Sequence, residues 1–318
     1  MRMKKWCLFL SLYFCLCLLS ACGVAPAVSS AEQPEPAPGG SGQTEPPRTG
    51  GGAVHLSLDP DEEPTVLTCR IVDGAEDGNL LLAELEDGPY GGTGVYRLDV
   101  KSLPVTLDGE ATEPSALEDG MPVEISFNGR ILESFPAQFG EVYRIDAWSV
   151  GSEKSPGGTC YDLCGLYLQV LDDLWRKDPA LNENIALAGL DLSQAPGELT
   201  ESEKAAIAWR FGEAHGVEVV TGTFDELRDQ GYFAAKTLRY TGDPPAPGST
   251  FYEWEDGCLF SITPNEEHEG EVYSLPVLHF NAEKWRSPLG AYCFYDCSAG
   301  WGQVSTWSDY TIGSEMIS

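Results

Sequence analysis

An unbroken apolar run over residues 6–19 opens the chain, and residues 23–52 then carry no apolar period. Alternation of apolar and polar positions begins near residue 62 and lasts to 149. It predicts short strands over 65–72, 79–85, 94–100, 123–127, 130–133 and 141–148, with turn signals at Asp73-Gly74, Asp119-Gly120 and Asn128-Gly129. The period then lengthens: Leu163, Leu166, Tyr167, Val170, Leu171, Leu174 and Trp175 share one helix face, which Pro179 ends. Thr200 and Glu203 are spaced as a capping box for a second helix, which turns Ala205, Ala208, Trp209 and Phe211 inward and stops at Gly216. Thr223 predicts the cap of a short third helix. Strand patterns return over 258–262, 272–280, 290–297 and 304–312.

This order predicts an α+β protein. A small all-β barrel occupies residues 62–149, a linker 150–158, and a second domain 159–318 in which helices precede one antiparallel sheet, as in a cystatin or NTF2 cone.

The apolar opening run is too short for a spanning helix, which needs about 20 residues, and Arg2, Lys4 and Lys5 precede it, so it reads as a signal-peptide core. Leu19-Ser20-Ala21-Cys22 follows and resembles the lipobox of bacterial lipoproteins. The resemblance implies that residues 1–21 are removed, that Cys22 carries a diacylglycerol thioether and further acyl chains such as palmitate, and that the protein stands on the extracytoplasmic face of the cell membrane. Two or more chains anchor far better than one, at about 0.8 kcal/mol per buried methylene. Residues 22–61, rich in Pro and Gly, then read as a tether with a reach of roughly 30 Å.

A second resemblance lies within the alternating region. Leu117-Glu118-Asp119-Gly120-Met121-Pro122-Val123, then Asn128-Gly129, then Glu133-Ser134-Phe135-Pro136-Ala137-Gln138, is similar to the end of small OB-like domains of uncharacterised Gram-positive lipoproteins. It implies a fold and an envelope location for residues 62–149, and no activity. Residues 159–318 resemble no family.

Charge narrows the function. With 50 acidic and 19 basic side chains the formal net charge is -31, and removal of residues 1–21 takes three cations and no acid, leaving about -34. Nucleic acid, bound chiefly through Lys and Arg, is excluded as a partner, as is a polybasic membrane patch. A composition that is 42% hydrophobic and 10% aromatic is too apolar for a disordered acidic chain.

Candidate chemistry is sparse. Past Cys22 the cysteines include two CxxxC pairs, Cys160 with Cys164 and Cys293 with Cys297. The first pair falls on one helix face, and the second on one face of a strand some 13 Å apart, so neither closes internally and a bridge would have to join the two pairs. Buried free thiols, disulfides and a thiolate zinc site all stay open for them. His55, His215, His268 and His279 are scattered, and no HExxH, Gly-x-Ser-x-Gly, phosphate loop or EF-hand loop is present. No metal, cofactor or catalytic residue is therefore predicted. Trp285, Tyr292, Tyr295, Trp301 and Trp307 read either as core or as the wall of a ligand cavity. The expectation is a membrane-anchored, non-enzymatic binding or interaction module with an envelope partner, the alternative being a small-ligand or hydrolytic cavity in residues 159–318.

Overall fold

The computed structural model describes residues 63–85, 93–155, 162–238, 248–268, 277–300 and 310–318. Cys22, the tether, Cys160, Trp301 and Trp307 lie outside them. Residues 57–318 belong to one compact unit.

The first half forms strands β1 (Thr65–Asp73), β2 (Asn79–Glu84), β3 (Val95–Asp99), β4 (Val105–Leu107), β5 (Glu110–Thr112), β6 (Pro122–Phe127), β7 (Ile131–Leu132), β8 (Ala137–Phe139) and β9 (Val142–Ala147). They join in one sheet of order β5-β4-β9-β6-β1-β2-β3-β8-β7, in which β3 with β8 and β4 with β9 run parallel. Alternate residues of β1, β2 and β6, among them Leu67, Ile71, Leu80, Leu82, Val123 and Ile125, close a core with Phe127 and Phe139.

The second half interleaves helices with strands: α1 (Leu163–Arg176), β10 (Leu187–Asp191), α2 (Glu201–His215), β11 (Glu218–Thr221), α3 (Phe224–Asp229), β12 (Ala234–Leu238), β13 (Ser249–Glu253), β14 (Gly257–Pro264), β15 (Val277–Ser287), β16 (Gly290–Gly300) and β17 (Ser314–Ile317). Strands β12 and β13 pair only with each other. The remainder form a mixed sheet of order β11-β10-β14-β15-β16-β17, with β10 parallel to both β11 and β14.

The expected α+β plan of a small barrel followed by a helix-then-antiparallel-sheet domain is therefore wrong. The described chain is mostly β, built on two large mixed sheets with few helices. Several strands escaped the sequence reading, β4, β5, β8, β10, β11, β12, β13 and β17 among them, and for β10 and β11 the reason is physical. Leu187-Ala188-Gly189-Leu190 and Glu218-Val219-Val220-Thr221 are only four or five residues long and sit between helices. β10, buried through its centre, shows no polar alternation to announce it, and β11, an edge strand with exposed ends, is too short to show a period. Nor do the helices belong to one half. α2 packs against β1, β2 and β3 as well as β11, and one apolar core takes Val72, Leu81, Ala83 and Val95 together with Leu166, Tyr167, Phe211 and Phe280.

The caps and the α1 face are local signals that hold, whereas α2 buries Ala206 and Ile207 with Ala208 and Phe211 and leaves Ala205 and Trp209 only half-buried. Thr200 accepts from the Glu203 amide at 3.1 Å and Glu203 returns the bond to the Thr200 amide at 2.8 Å. Thr223 and Glu226 repeat the box at α3. The carboxyl end of α1 is held from the sheet: the buried Lys284 ammonium donates to the carbonyls of Trp175, Lys177 and Asp178 and to Asn182 Oδ1, where a helix end favours positive charge.

Candidate functional site at the carboxyl edge of the six-stranded sheet

After β10 the chain passes into α2, whose Ala206, Ile207 and Phe211 join the large core on one face of the sheet. After β11 it passes into α3, whose Leu227 packs with Phe233, Trp254 and Leu259 on the other face. Leaving in opposite directions, the two connections open a crevice beyond the carboxyl ends of β10 and β11. In open α/β sheets this switch point is where ligands bind. Here it is a cleft of about 440 Å³, floored by the Gly222 amide, which donates to the Leu190 carbonyl at 3.1 Å.

The charged groups of the cleft are mostly acidic and are set among a larger apolar surface. Asp191 ends β10 and turns back, its Oδ1 accepting from the Ser193 hydroxyl at 2.6 Å and amide at 3.1 Å. Glu201 and Lys204 come from the first turn of α2, joined at 2.8 Å, and Glu226 comes from α3. Hydrogen bonds from the Thr223 amide and hydroxyl hold the Glu226 carboxyl below its usual range. Thr93, Ser193, Thr221 and Thr223 add hydroxyls. The single lysine in the lining already faces a carboxylate, so the site repels anions. A wider groove of about 680 Å³ lies between Phe135 and the outer side of α2, lined by Trp209, Gly212 and Val219 together with Glu213, Glu218 and Thr221.

Farther along the same edge, three ligand-type side chains meet. The short turn Glu266–His268 follows β14, His279 begins β15, and Asp296 lies near the end of β16. His268 Nε2 is 2.9 Å from Asp296 Oδ1, the His268 and His279 rings stack with centroids 3.9 Å apart, and the ligand atoms of all three fall within 4.8 Å of one another. Asp296 reaches this position through a β-bulge. Phe280 pairs with Cys297 but Ala282 with Phe294, so Tyr295 and Asp296 face the single residue Asn281, and Asp296 takes a left-handed φ of 54°. The sequence reading passed over this triad because its members are 11 and 17 residues apart and the bulge is invisible in alternation.

The bulge also separates the second CxxxC pair. The extra residue reverses the alternation, so Cys297 enters the large core with Tyr292 and Phe294, while Cys293 turns toward Glu283. Cys164 lies alone in α1, which begins only at Leu163. Cys69, Cys164, Cys258, Cys293 and Cys297 are free and buried. Burial pushes the thiols of Cys293 up to about 11 and of Cys258 and Cys297 up to about 12, opposite to what a redox pair requires. Among the described residues, the aromatic candidates Trp285, Tyr292 and Tyr295 do not share a wall. Trp285 packs with Phe224 and Phe233 on the α3 face, Tyr292 fills the opposite core with its hydroxyl donating to Glu315, and Tyr295 is half-buried at the bulge.

No family model matches the chain, and no solved structure matches it. The ribosomal RNA small subunit methyltransferase H of Gluconobacter oxydans is similar at 28% identity over 132 residues, 40% of this chain and 39% of that protein. The chain thus spans about two fifths of that relative.

Proposed function

We propose that this is a lipid-anchored, extracytoplasmic, non-enzymatic binding protein, held at the membrane through Cys22, whose ligand site is the acidic cleft between β10 and β11. The observation that carries the reading is the cleft's place, at the point where α2 and α3 leave the sheet on opposite faces. Its chemistry selects the ligand class. Asp191, Glu201 and Glu226 oppose one paired lysine and stand among hydroxyl groups, which suits a small hydroxylated amine such as an amino sugar and repels phosphate. The likeness to a ribosomal RNA methyltransferase supports no RNA substrate here, since a formal charge of -31 opposes a polyanion.

Two measurements test the reading. Replacing Cys22 by Ala should release the protein to the medium or leave an unprocessed precursor; a processed form that stays with the membrane would refute the anchor. Titration with glucosamine, followed by melting temperature and calorimetry, should show saturable binding that N-acetylglucosamine and glucose 6-phosphate do not reproduce and that Asp191→Asn weakens by about tenfold or more. Equal responses to the three sugars, or full binding by Asp191→Asn, would remove the cleft as the site.

A further inference from the structure

We infer that His268, His279 and Asp296 bind one divalent transition-metal ion, of which zinc is representative, with coordination positions left open to solvent. This site is separate from the cleft and does not depend on the reading given to it. Two imidazole nitrogens and one carboxylate oxygen form a ligand set common to zinc and non-haem iron sites that keep room for water or a further ligand. With both imidazoles neutral the set carries one negative charge, which a dication overcompensates and an unpaired proton does not.

One pair of ligand atoms already stands at coordination spacing, and the third ligand reaches the ion by a ring rotation. Two ligand atoms held cis at about 2.0–2.1 Å from a metal lie roughly 3.0–3.4 Å apart. His268 Nε2 and Asp296 Oδ1 are already 2.9 Å apart, so an ion can take the place of the proton they share. The two rings stack 18° from parallel with centroids 3.9 Å apart, so the His279 ring must swing well out of the stack before both in-plane lone pairs can point at one ion. Asn265 Nδ2 donates to the same Asp296 Oδ1 at 3.0 Å and fixes the carboxylate's orientation, as residues outside a coordination sphere commonly do. The backbone is shaped to the same end. Asp296 holds a left-handed conformation, and its amide is fixed by Asn281 Oδ1 at 3.0 Å, so the bulge delivers a carboxylate to an edge that a regular strand would have given a different residue.

The test uses the chain freed of residues 1–22, which lie outside the compact unit carrying all three ligands. After chelator treatment, zinc is titrated and followed by native mass spectrometry and by competition with a chromophoric chelator. One zinc per chain is expected. Asp296→Asn and His268→Gln should each weaken it by about a hundredfold, at or above the effect of removing an outer-sphere partner, while Glu267→Gln, on the same turn, leaves it unchanged. His268 lies outside every strand, so its variant keeps the fold, which circular dichroism without metal checks. X-ray absorption of the wild-type zinc form should show nitrogen and oxygen neighbours alone. Absence of stoichiometric zinc, retention by both ligand variants, equal loss in Glu267→Gln, or sulfur neighbours near 2.3 Å would each overturn the site.

Discussion

Charged groups gather in two regions of this protein, and they are treated in opposite ways. Along the seam between the sheets, Arg70 is 6% exposed and donates to Glu203 at 2.5 Å and to the Gly120 carbonyl at 3.0 Å. Glu203 is in turn the closing member of the α2 capping box, and Ser202 donates to the Glu84 carbonyl. Nearby, buried Glu84 accepts from the Gly94 amide and the Tyr96 hydroxyl. Seam charges are consumed by the protein and tie β1 and β2 to α2. At the carboxyl edge, by contrast, Asp191, Glu201 and Glu226 meet partners within three positions, Asp296 meets Asn265 and His268 from another turn, and all keep one side toward water. Similar side chains thus hold the fold in one place and stand ready for a ligand in the other, and burial makes the difference.

The largest effect should come from breaking the seam. Arg70→Met leaves Glu203 buried without its cation and should cost about 3–5 kcal/mol in denaturant unfolding. Adding Glu203→Gln, which keeps the capping acceptor, should return at least half of it. A loss under about 1 kcal/mol for Arg70→Met would show the pair to be solvated and dissolve the contrast.

A smaller effect concerns Asp162, which caps α1 beside Arg70 and accepts from the Gly165 amide at 2.9 Å. Burial raises its pKa above the usual value near 3.9, against the lowering effect of that amide and of Arg70. The folded state therefore binds the proton more tightly than the unfolded one, and stability falls as pH rises from about 4 through the folded value, the whole penalty being present above it. Asp162→Asn keeps the cap and removes the charge. It should flatten that part of the stability–pH curve and raise stability at neutral pH. An unchanged slope would place the titration elsewhere.

The smallest effect belongs to the edge. Asp191→Asn should leave unfolding stability within about 0.5 kcal/mol of wild type, because its carboxylate holds only its own turn. A loss above 1 kcal/mol would make Asp191 structural and blur the distinction from the seam.

What could be read from the chain is what neighbouring residues decide among themselves. The face of α1, the Thr200–Glu203 capping box, the Thr223 cap, the glycine stop at Gly216 and the strand signals of β1, β6 and β9 all follow from side chains within a few turns or pairs of one another. The apolar opening run and the Pro/Gly-rich stretch are equally local. Tertiary structure alone decided that Leu187–Asp191 and Glu218–Thr221 become parallel neighbours around α2, and so that a crevice exists. It also set Asp296 beside two histidines through one extra residue in β16, and seated Glu203 against Arg70 across 133 positions of chain. Parallel pairing, bulges and buried ion pairs are contacts between distant segments. Their free energy resides in the partner's position, which no local period records.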